Sequence, residues 1–222
     1  VITLSKKIAH NTLIQYAGKI IGTVFGLITI GLMTRYLGTE GFGYYTTIMG
    51  FLQFFGIMVD FGLSLTTAQM LGHSDWDEDH LFANILSLRI ISSVIFLGVA
   101  PLVVFFFPYP AFVKWGIALT TTSFFFMSLT QIFLGFYQKH LSLKYVSYAE
   151  VGNRLFLLGA IIISVVFNLG IFAILGAIIL SNAIQLVMLV IPAKKYGRIH
   201  LALDIPVWKD IWSKTWPIAV SI

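Results

Sequence analysis

Apolar residues run along this chain in long, nearly unbroken stretches instead of the alternating pattern of half-buried elements. Six of them, at 11–37, 44–71, 81–107, 112–137, 145–168 and 171–191, exceed the ~20 residues a helix needs to cross a ~30 Å hydrocarbon core. Turn chemistry separates several of them: GTEGFG at 38–43, FPYP at 107–110 and NLG at 168–170. A seventh stretch opens near Trp216 and is cut short at Ile222. The pattern predicts an all-α polytopic membrane helix bundle. Residues 1–193 form a six-helix lobe with a cytoplasmic N-terminus, 194–214 an amphipathic linker, and 215–222 the truncated start of a seventh span.

Composition agrees. Hydrophobic residues make up 58% of the 222 positions, only 10% are charged, and the mean hydropathy is +0.92, whereas a soluble domain is about a quarter charged. There is no cysteine, which removes disulfides and thiolate metal sites. The net charge of +5 comes from basic residues at segment ends and not along one face, so nucleic acid is not expected. Lys6 and Lys7 precede an apolar run too long for a signal peptide, so the first span is retained.

Lys6, Lys7, Lys139, Lys144, Lys194, Lys195, Arg198, Lys209 and Lys214 fall on one side of the spans, Arg35 and Lys114 on the other. That bias makes the first side cytoplasmic. In the loop HSDWDEDH (73–80), His73, Asp75, Asp77, Asp79 and His80 alternate as metal ligands can. An EF-hand would need Gly and Glu where His80 and Leu86 stand, so a solvated helix cap is predicted, with no metal or cofactor. Trp208, Ile211, Trp212 and Trp216 recur at helical spacing, which predicts an amphipathic helix in the cytoplasmic interface.

Five charges lie inside the spans: Lys19, Asp60, Arg89, Glu150 and Arg154. Each costs at least ~2.5–3.5 kcal/mol at mid-span, so a paired or functional role is expected. At ~1.5 Å per residue, Lys19, Asp60 and Arg89 lie roughly 13, 16 and 13 Å from the cytoplasmic ends of their spans. Gln131 and Gln185 fall near the same layer. Asn11, Gln15, Lys19 and Thr23 form one polar stripe; Gln53, Asp60, Ser64 and Thr67 form another. Beside the first runs a ridge of Gly18, Gly22 and Gly26, which permits close helix packing. Asp60 is expected to pair with Lys19 or Arg89. Two cations against one anion would leave a cationic chamber suited to phosphate, with a purely structural salt bridge as the alternative. Glu150 and Arg154, four apart, read as a helix-surface pair.

Three segments carry a resemblance: RYLGTEGFGYY (35–45), VDFGLSLTTAQML (59–71) and TQIFLGFYQKHLSLKYVSYAEVGNRL (130–155). Together with the first span they resemble the N-terminal half of bacterial polysaccharide flippases, the O-antigen and capsule repeat-unit exporters of the multidrug/oligosaccharidyl-lipid/polysaccharide (MOP) superfamily. Gln69 and Met70 depart from the basic residue that often follows the span-two motif. The resemblance implies two six-helix lobes around a central cavity, of which this chain is the first, rocking in the bacterial inner membrane. The cargo it implies is a polyprenyl-diphosphate-linked oligosaccharide, with membrane lipid and other polysaccharide-assembly proteins as further partners. Arg35, Asp60 and Arg89 match positions where the family places charges. Lys19 and Arg89 would attract the diphosphate, Arg35 is a further substrate-binding candidate, and Gln15, Gln53 and Gln131 would bond the sugar hydroxyls. Asp60 would balance the cations or couple an ion. No catalytic residue is expected. A multidrug or small-solute exporter of the same superfamily, or a non-transporting anchor of polysaccharide assembly, are the alternatives.

Overall fold

The computed structural model describes the backbone of residues 4–73 and 76–221 and the side chains of 12–72 and 76–217. The side chains of Lys6, Lys7, Asn11, His73 and Asp75, all invoked above, lie outside the described residues. The helices are α1 (Leu4–Asp60), α2 (Leu63–His73), α3 (Glu78–Val103), α4 (Ala111–Lys139), α5 (Lys144–Val166), α6 (Gly170–Ala193) and α7 (Ile205–Ser221).

α1 is two helices joined at Gly38, whose φ of 68° and ψ of −174° suit a residue without Cβ. The neighbours of its two arms show that the chain reverses there. The first arm runs in the same sense as α5: Gly18 meets Ser147, Gly26 meets Arg154, and the Tyr36 hydroxyl donates to Asn168 Oδ1 at 2.9 Å. The second arm follows α4: Tyr44 packs edge-on against Phe112 and Gly56 against Phe124. α6 also follows α4, with Gly116 beside Leu175 and Tyr137 donating to the Leu189 carbonyl at 2.6 Å. α5 opposes α6, since Asn153 bonds Asn182 and Gly152 lies against Met188. The two arms are therefore antiparallel. Among the described residues five helical stretches are long and apolar enough to cross a membrane, the first of them 12–72, 61 residues in length. That first stretch holds two crossings, so the six apolar runs become six helical crossings of an all-α membrane bundle.

Span two departs from the continuous helix that its sequence predicts. Phe61 (φ 41°) and Gly62 (φ 80°) interrupt it between α1 and α2. The apolar pattern passes straight through this break, and only the backbone reveals it.

The basic end of the bundle is braced. Asp77 caps α3 by accepting from the His80 amide at 3.1 Å. Glu78 pairs with Lys139 and, at 3.2 Å, with His140. Asp79 accepts from the Arg198 amide at 3.3 Å, and His80 meets Asp204 at 3.1 Å. Asn84 and Ser87 of α3 accept from the amides of Asp204 and Ala202 at 2.8 and 3.0 Å. The acidic loop thus does more than cap a helix: it fastens the 194–204 strap to α3 and to the α4–α5 turn. α7 also packs on the bundle: Val207, Ile211 and Thr215, four apart, are buried, and the helix is continuous across residues 214 and 215. Its Trp212 and Trp216 stack on Phe61 at 6.2 and 6.3 Å.

Candidate functional site

Asp60 is the last residue before the break in span two. Arg89, from the middle of α3, reaches it with no exposed surface. Its Nη2 donates to Asp60 Oδ1 at 2.7 Å and to Ser64 Oγ at 2.7 Å; its Nη1 donates to the Val59 carbonyl at 3.1 Å. Ser64 Oγ also bonds Asp60 Oδ1 and lies 3.1 Å from Gln131 Oε1. A hydroxyl has one proton, so it donates to one of these acceptors at a time. The guanidinium therefore neutralises the carboxylate and caps a carbonyl at a helix C-terminus, where the backbone carries partial negative charge.

This geometry changes the expected picture of one cationic chamber between Lys19 and Arg89. Arg89 stands behind Asp60, sealed in protein. Lys19 is exposed on the first arm, and Gly18 beside it packs on Ser147, in the first turn of α5. That level is close to the basic end, whereas Asp60 lies opposite Gln131, about two turns inside α4. Arg35 is exposed at the opposite end of the first arm, near Gly38. The glycine ridge is the interface of the first arm with α5.

Open space lies elsewhere. A recess of about 570 Å³ between the second arm, α4, α5 and α6 is lined by Gln53, Glu150, Asn153, Arg154, Asn182 and Gln185. A second, of about 460 Å³, shares Gln53, Phe124 and Met127 with the first and reaches Asp60 and Gln131. A third, of about 310 Å³, continues from Asp60 and Gln131 to Ser64 and Gln138. The shared residues make one trough along a face of the lobe. Of the residues expected to bind substrate, Gln53 and Gln131 line it; Lys19, Arg35, Gln15 and Arg89 line none of the three recesses. Asp60 is partly exposed in two of them.

The trough's polar wall is built from helical spacing. Glu150, Asn153 and Arg154 sit at i, i+3 and i+4 of α5, and Asn182 and Gln185 at i and i+3 of α6. Asn153 Nδ2 donates to Asn182 Oδ1 at 3.1 Å and to Gln185 Oε1 at 2.5 Å, and Asn182 Nδ2 donates to Ser123 Oγ at 2.7 Å. Among the described residues no ion pair joins Glu150 to Arg154, so the surface pair expected from their spacing is absent and both side chains face the recess. Carboxamides both donate and accept, which suits a ligand rich in hydroxyls. Arg154 adds a guanidinium able to hold an anion in a bidentate grip.

A sequence model of the polysaccharide biosynthesis protein family matches residues 8–222. The chain belongs to that family. Two solved structures share its fold. One is an outward-facing multidrug-resistance MATE family transporter of the MOP superfamily: TM-score 0.69, 16% identity, covering 97% of this chain and 52% of that one. The other is a MOP superfamily transporter from Pyrococcus furiosus, described as having a binding pocket of reverse polarity that suggests a different function. It gives TM-score 0.68 and 17% identity, again covering 97% of this chain and 52% of that one. At such identities the likeness shows the fold alone. This polysaccharide biosynthesis family member spans about half the length of either transporter. No curated protein matches it.

Proposed function

We propose that this chain forms one lobe of a transporter that carries a polyprenyl-diphosphate-linked oligosaccharide across the bacterial inner membrane by alternating access. The observation that carries this reading is the trough of amides around Asn153, Asn182 and Gln185, in a chain of a polysaccharide family. Rocking of one lobe against another around a mid-membrane site is the general scheme for repeat-built carriers. Gln53, Gln131 and the α5–α6 amides would bond sugar hydroxyls, and Arg154 an acidic sugar or the diphosphate. Lys19, Gln15 and Arg35 would meet cargo where the first arm borders a second lobe. The braced end, rich in Lys and Arg, would be cytoplasmic.

One observation favours a second reading, export of cationic drugs or other small solutes. Glu150 brings to the trough a carboxylate that forms no ion pair among the described residues, a group that would attract an organic cation, whereas the Asp60 carboxylate is already matched by Arg89. Vesicles containing the full-length protein distinguish the two. Translocation of a labelled polyprenyl-diphosphate oligosaccharide supports the first. Efflux of an organic cation without movement of the lipid-linked sugar replaces it with the second. Movement of neither would leave an assembly anchor.

A further inference from the structure

The break in span two creates oxygen ligands in the membrane. Where carriers interrupt a helix, unwound carbonyls and helix C-terminal ends gather around the coupling cation. Here the interruption at Phe61–Gly62 presents the Val59 carbonyl, the Asp60 carboxylate and the Ser64 hydroxyl to a common partner, and Gln131 Oε1 lies 3.1 Å from that hydroxyl. A free cation is not what fills this set. The Arg89 guanidinium donates to all three oxygens, at 2.7–3.1 Å, from a side chain with no exposed surface.

We propose that Arg89 is a built-in cation: its guanidinium takes the oxygen site at which a broken-helix carrier would bind a coupling ion, so Asp60 binds no sodium while Arg89 is in place. Three observations support this. Arg89 enters from α3, a different crossing, so the cation is tethered to the far side of the break and joins its two halves. One of its nitrogens, Nε, is buried with no partner among the described residues; the side chain is therefore placed for its two terminal nitrogens, at the expense of the third. Removing the guanidinium would leave a carboxylate, a carbonyl and a hydroxyl turned inward and reachable from the trough, because Asp60 and Gln131 line it. Such a cluster of hard oxygens suits a small alkali cation. The inference requires only a membrane carrier lobe and not a particular cargo, so it can fail or stand independently of the lipid-linked sugar.

The test is the thermal stability of purified full-length protein in sodium chloride against choline chloride at equal ionic strength, which holds screening constant. Wild type is expected to give the same Tm in both salts. Arg89→Met is expected to gain a sodium-dependent rise of a few degrees, as ligand binding to the folded state produces, and Arg89→Met with Asp60→Asn is expected to lose it. A sodium-dependent Tm in wild type that Asp60→Asn abolishes would overturn the proposal. So would a folded Arg89→Met protein with no sodium response. If Arg89→Met does not accumulate in choline, solubilisation in sodium should recover a monodisperse protein. Recovery in neither salt, or equally in both, also counts against it.

Discussion

Two guanidiniums occupy the membrane part of this lobe, and they differ in almost every respect that matters. Arg89 has no exposed surface and donates to Asp60, Ser64 and Val59. Arg154 is exposed, lies with its stem near Gly22 and its guanidinium near Gly26, and forms no ion pair with Glu150 four residues before it. Position in sequence made Arg89 look like the functional cation and Arg154 a surface residue. In the structure Arg89 is enclosed by protein and Arg154 lines the trough. A buried charge already matched by its hydrogen-bond partners has little left to offer a ligand, whereas a guanidinium that lines open space keeps donors for an anion.

The contrast can be broken from either side. The largest effect is expected at Arg89→Ala, which strands Asp60 and uncaps the Val59 carbonyl. Losing one partner of a fully buried pair costs about 3–5 kcal/mol; the partly exposed Asp60 puts the cost toward the lower end, read as a drop in Tm or in folded protein recovered from membranes. Asp60→Asn with Arg89→Met should recover much of that loss, because replacing both members leaves no uncompensated charge. Next is Gly135→Val. A Cβ there would lie 3.0 Å from Thr67 Cγ2 and 3.3 Å from the Ala68 nitrogen, so the segment beyond the break would be pushed off α4. Overpacking of this kind costs about 1–3 kcal/mol, measurable by thermal denaturation. Trp212→Ala removes one of the two rings stacked on Phe61 and should cost about 0.5–1.5 kcal/mol. A larger loss would mean that α7 holds the break closed more firmly than its stacking implies. The smallest change in stability is expected at Arg154→Gln, within about 0.5 kcal/mol, as for a substitution outside packed or paired sites.

Much of the fold was legible in the sequence, and the reasons are physical. Apolar runs of membrane length can do little but cross a bilayer as helices, and glycine-rich turns mark their ends. The reversal at Gly38 lay within GTEGFG, and the Gly18–Gly22–Gly26 ridge is a packing face. The break at Phe61–Gly62 stayed hidden because hydrophobicity carries on through VDFGLSL: a glycine inside an apolar run looks the same whether it packs or bends the chain. Arg89 was visible as a charge at the right depth to reach Asp60, but depth cannot tell a sealed side chain from one lining a void. Lys19 shared the stripe of Gln15 and Thr23, yet none of these three lines any of the three recesses. Asn153 and Asn182 went unnoticed because single amides in different helices gain meaning only once α5 and α6 are antiparallel. α7 hid its buried side for a similar reason, since Val207, Ile211 and Thr215 repeat every four residues whether they face lipid or protein.

We propose that cargo meets the open trough and not the sealed guanidinium of Arg89. The most direct test of that claim is polysaccharide export by cells carrying full-length Arg154→Gln, with membrane level and Tm measured on the same protein. Export should fall severalfold while both of the latter stay at wild-type values. Undiminished export by that variant, and again with Asn182→Leu added, would contradict it.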